Sequence, residues 1–136
     1  MIAALIFVIS VAALLQFFVL HCRSILAYSR RIELSGHIRE VTGLATQDVS
    51  AGDFDRLVQL ARLCPDRGDD SKDIRVVSLY YRLLNLLGRV TRSIVPSIAE
   101  WTDSERRGCS YFAAVALDRR ICYSRDLFSQ QVADRS

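Results

Sequence analysis

From Ile2 to Leu20 no position is charged, and only Ser10 and Gln16 are polar. Thirteen of these nineteen positions are Leu, Ile, Val or Phe. As a helix rising about 1.5 Å per residue they span roughly 28 Å, close to the hydrocarbon thickness of a bilayer. At about 0.3–0.6 kcal/mol for each of the thirteen, insertion is favoured by at most roughly 4–8 kcal/mol. One Gln does not overturn that, and the pattern predicts a transmembrane anchor over residues 1–22. A cleaved signal peptide needs a basic leader, a shorter apolar core and a small-x-small site. This segment has none of the three.

Beyond the span the apolar positions become periodic. Ile25, Tyr28 and Ile32, then Leu34, Ile38 and Val41 on a shifted face, recur at helical spacing. They predict a helical stalk over residues 23–43, ended by Gly43. Ser50-Ala-Gly-Asp53 resembles a capping box opening the next helix. Phe54, Leu57, Val58, Ala61 and Cys64 mark its inner face, Leu60 and Leu63 widen it, and Pro65 stops it.

A longer helix follows over residues 71–94. Its later polar positions, Arg75, Ser78, Arg82, Asn85, Arg89 and Arg92, form one narrow stripe, and most of the remaining girth is Ile, Val, Leu or Tyr. Such a helix is expected at the centre of a bundle, and Gly88 allows a close crossing. Pro96 breaks the run, with residues 97–101 as a short connector or helical turn. Thr102-Asp-Ser-Glu105 reads as a full capping box for a last helix over residues 103–128. Ala114, Leu117, Ile121 and Phe128 share a face there, while Gly108, Ala113 and Ala116 thin the neighbouring surface. Strand alternation and hairpin turns are missing. The fold class is therefore all-α: a single N-terminal transmembrane helix continuing into a stalk, then a small bundle of about three helices. The bundle occupies residues 44–128, with a polar tail over 129–136. Leu57, Ala61, Leu83, Leu84, Leu87, Leu117 and Ile121 are its expected shared core.

Charge fixes an orientation. Arg23, Arg30, Arg31 and Arg39 follow the span, so the positive-inside rule puts the domain in the cytoplasm and the N-terminus outside, in a plasma or inner membrane. A net charge of +3 over 136 residues is too small to argue for nucleic acid. Cys22, Cys64, Cys109 and Cys122 lack metal spacing and suit a reducing compartment.

Candidate chemistry changes little. The acidic loop from Asp66 has Gly68, Ser71 and Val77 where a calcium loop needs a ligand, a glycine and a glutamate. Its carboxylates Asp69, Asp70 and Asp73 suit the start of the following helix instead. His21 and His37 have no partner motif, Asp53 and Asp55 sit in a first helical turn, and phosphate-cradling glycine loops are absent. No catalytic, cofactor or metal residues are assigned, and no small-molecule substrate is evident.

The sequence thus points to a non-catalytic, single-pass membrane protein presenting a helical interaction domain, as an accessory subunit or scaffold of a membrane assembly. The alternative is a membrane-surface, lipid-binding regulator using the stripe of Arg75, Arg82, Arg89 and Arg92. Ala3, Ser10, Ala13 and Gln16 fall within a sector of about 140° of the span, where small residues and one amide suit contact with another transmembrane helix, of a larger assembly or of a second copy. Arg23, Arg30, Arg31 and Trp101 are the expected interfacial anchors.

Overall fold

The computed structural model describes residues 1–31, 50, 52–65 and 68–135. Among them run four helices and no strands: α1 (Ile2–Arg30), α2 (Phe54–Leu63), α3 (Gly68–Thr91) and α4 (Pro96–Asp134). The chain is all-α, a long apolar N-terminal helix followed by a helical bundle.

α1 is unbroken, but its surroundings change partway along. Residues 1–17 are exposed on every side. From Phe18 onward the same helix enters the bundle: Phe18 and Val19 are half-buried, and Cys22, Leu26 and Ser29 are buried. Spacings of four and three residues put these last three on one face. The part of the expected stalk that is described, residues 23–31, therefore contributes to the core instead of standing away from it. Residues 32–49, with His37 and Arg39, lie outside the described residues.

α4 holds the centre, packing against α1, α2 and α3. Gly108, Cys109, Ser110, Ala113, Ala114 and Ala116 are all buried on it. Side chains this small let three helices approach one axis. That corrects the expectation that the helix of the Arg stripe is central. α3 buries Ile74, Val77, Tyr80, Tyr81 and Leu84 on one side, but Leu83 and Leu87 are 38% and 40% exposed. Of the expected core, Leu57, Ala61, Leu84 and Leu117 are buried and Ile121 is half-buried. Leu83 and Leu87 are not core, because the bundle covers one side of α3 and leaves the other apolar side open.

The helix ends show why local motifs mislead here. Ser50 Oγ accepts the Gly52 N–H at 3.3 Å, and the Asp53 carboxylate accepts the Ser50 N–H at 2.8 Å. Those bonds close a turn, and α2 starts after it, at Phe54. Phe54, Leu57, Val58 and Ala61 are buried as the periodicity requires, while Leu63 is 83% exposed. Near the end of α2 the Ala61 carbonyl accepts a bond from Arg120 Nη1 at 2.7 Å, fastening it to α4.

α3 opens at Gly68 with Asp69 and Asp70 in its first turn, where their charge complements the helix dipole. α4 opens on Pro96, a residue that loses no helical bond in the first turn. It runs straight through Thr102, which is buried and donates to the Ala99 carbonyl at 2.8 Å. Residues 97–101 are therefore helix, the second of the two forms expected there, and the expected capping box is interior to it. α4 also continues to Asp134 past a Phe128 that is 68% exposed, so residues 129–134 are helical as well.

Truncating Leu84 to Ala should cost about 2–5 kcal/mol in urea unfolding, because its site is enclosed. Leu83→Ala, one residue away on the open side, should cost under about 1 kcal/mol. Equal losses would contradict the assigned rotation of α3.

Candidate functional site

One buried acid joins three helices. Glu105 of α4 is 5% exposed, and its Oε2 accepts the Tyr80 hydroxyl of α3 at 3.1 Å. Its Oε1 lies 3.5 Å from Arg23 Nε of α1. A buried carboxylate needs such partners, since an unpaired one is costly in low dielectric. The sequence offered one signal that was missed: Glu105 stands in helical register with Cys109, Phe112 and Ala116, an acid on an apolar face. Arg30 crosses close by, where a Cβ on Gly108 would meet its Nη2 at 2.7 Å. Glycine there makes room for the guanidinium. Two expected interfacial anchors, Arg23 and Arg30, are thus engaged with α4, while Arg31 is exposed.

This knot is built for structure. Burial, then the Glu105 charge and hydrogen bond, push the Tyr80 hydroxyl well above its ordinary value. Burial, followed by Glu105, pushes the Cys109 thiol up to about 12. A thiol that is fully enclosed and held protonated is no nucleophile. His21 is exposed on α1, and no cluster of metal-ligating side chains occurs among the described residues.

Two clefts flank α3 near its C-terminal end. An apolar groove of 360 Å³ lies between Leu15 and Val19 of α1, Leu83, Leu86 and Val90 of α3, and Trp101 of α4. Phe18 sets its edge against Tyr80 nearby, with ring centroids 6.2 Å apart. Trp101, the remaining expected anchor, lines this groove together with the exposed Leu86 and Val90. On the far side of α3 is a polar cleft of 400 Å³ that includes Asn85, Arg89, Arg92, Asp103 and Arg106.

The Arg stripe is split by this arrangement. Arg89 and Arg92 line the polar cleft, Arg75 lines a separate one with Arg62 and Arg120, and Arg82 stands exposed. None of the four meets an acidic side chain among the described residues. Asp70 instead pairs with Arg119 of α4 at 3.8 Å.

Ala3, Ser10, Ala13 and Gln16 are all exposed. At about 100° per residue their sector lies roughly opposite the Cys22, Leu26 and Ser29 face. The bundle therefore occupies one side of α1 and leaves the small-residue side free.

The knot carries a pH signature. Tyr80 and Cys109 are raised in the folded state, so their contribution is complete below their ordinary values and is lost as pH rises through the folded ones. Stability should hold to about pH 9 and then fall between about 9 and 12, the interval over which Cys109 is displaced. A denaturant midpoint unchanged across that interval would contradict the burial of both groups. At neutral pH, Tyr80→Phe should cost about 1.5–3 kcal/mol, because a carboxylate loses a donor.

No family model, curated protein or solved structure matches the chain, so these surfaces are what bears on its function.

Proposed function

We propose that the chain is a single-pass membrane protein that holds its helical domain directly against the cytoplasmic face, as an accessory subunit or scaffold of a membrane assembly. One observation carries the reading. α1 is a single helix whose most apolar 18-residue stretch has no buried residue, yet whose last turns are core. An exposed apolar cylinder of that length suits lipid, and the core turns make the junction stiff. Loss of the span by cleavage would also strip Phe18 from Tyr80 and open the wall formed by Leu15 and Val19.

Arg23, Arg30 and Arg31 on the domain side support a cytoplasmic C-terminus. Two surfaces are available to protein partners: the Ala3, Ser10, Ala13 and Gln16 sector, and the apolar outer side of α3. Small residues at such a sector permit close approach of a second helix, and a Gln amide there adds about 0.6–2 kcal/mol of hydrogen bonding. The reading takes the chain as non-catalytic.

A reporter fused after Ser136 should work in its cytoplasmic form and stay silent in its extracellular or periplasmic form. The reverse pattern would falsify the orientation. Gentle solubilisation from native membranes should recover a stoichiometric protein partner or a second copy. Recovery of the chain as a lone monomer would overturn the scaffold reading.

A further inference from the structure

The polar cleft between α3 and α4 has more positive charge than it needs for folding. Arg89 near the end of α3, Arg92 in the turn just after it and Arg106 from α4 line it, against Asp103 alone on the acidic side. That carboxylate is already engaged by Arg106 Nη1 at 3.1 Å. Arg106 is held further by the Tyr81 ring, 5.6 Å from its guanidinium carbon, and its buried Nε–H has no hydrogen-bond partner among the described residues. Arg89 and Arg92 meet no acid among the described residues. Two positive charges are thus left uncompensated in one cavity of 400 Å³. Three guanidiniums also offer planar, paired N–H donors, the geometry that suits phosphate oxygens.

We propose that this cleft binds a phosphate group, gripped by Arg89 of α3, by Arg92 in the turn that follows it and by Arg106 of α4. A phosphate carrying up to two negative charges matches the excess, and Asn85 adds a neutral polar group at the rim. The group is either the headgroup of an anionic phospholipid or a soluble phosphate. The site is made by α3, α4 and the turn between them, without α1, so it goes beyond the anchoring reading and would survive the failure of that reading.

The test uses the full chain, first in an uncharged detergent with inorganic phosphate at constant ionic strength. It is repeated in phosphatidylcholine nanodiscs with and without phosphatidic acid, reading the thermal midpoint in each case. The parent should be stabilised by phosphate, by phosphatidic acid, or by both. A response to the soluble ion assigns a soluble source, and a response only in the doped nanodiscs assigns the lipid headgroup. Arg89→Gln/Arg92→Gln should need about tenfold more phosphate or more for the same shift. Each single variant should fall between the double variant and the parent. Arg82→Gln/Arg107→Gln removes the same charge from the same two helices, at exposed positions outside the cleft, and should respond like the parent. No stabilisation of the parent in either medium, or equal loss in both double variants, would overturn the proposal.

Discussion

The bundle depends on α1 changing neighbours without changing conformation. Over residues 1–17 every side of it is exposed; from Phe18 onward one side closes on α3 and α4. The closure centres on Glu105, a buried acid that takes a hydroxyl from α3 and a guanidinium from α1. A one-turn shift of any of the three helices would cost that buried carboxylate at least one of its two partners. The acid therefore fixes the register of α1 against the domain as well as adding stability.

The rest of the packing follows from the small residues of α4. Gly108, Cys109, Ser110, Ala113 and Ala114 let α4 serve as the axis for its three neighbours. With the axis taken, α3 can bury only one side. Leu79, Leu83, Leu86, Leu87 and Val90 are left exposed, and several of them share a groove with Leu15 and Val19 of α1. An apolar surface of this kind, continuous with the exposed part of α1, marks a place meant to be covered. Across α3 from it, the cleft of Arg89, Arg92 and Arg106 has the opposite character. One helical hairpin thus presents an apolar side and a strongly cationic side.

The sequence made the elements legible wherever one face decided the outcome. The span is a pure composition signal, and the inner face of α2 follows from simple periodicity. Motifs of four residues did worse. Thr102-Asp-Ser-Glu105 has the chemistry of a capping box, but Pro96 opens the helix earlier and packing carries it through, so Thr102 and Glu105 face inward. α3 misled for a related reason: an apolar girth reveals how much surface must be hidden, not what hides it. The polar cleft was half visible, since Arg89 and Arg92 were in the stripe. Arg106 was not, because it comes from another helix and only the fold brings the two together.

The claim that the apolar helix and the core helix are one stiff element can be measured directly by amide hydrogen exchange on the full chain in nanodiscs. The account predicts that amides over residues 18–29 exchange as slowly as those of Cys109–Leu117 in the core of α4, with no break where α1 enters the domain. Fast exchange confined to His21–Ser24, between a protected span and a protected domain, would mean a flexible tether and would contradict it.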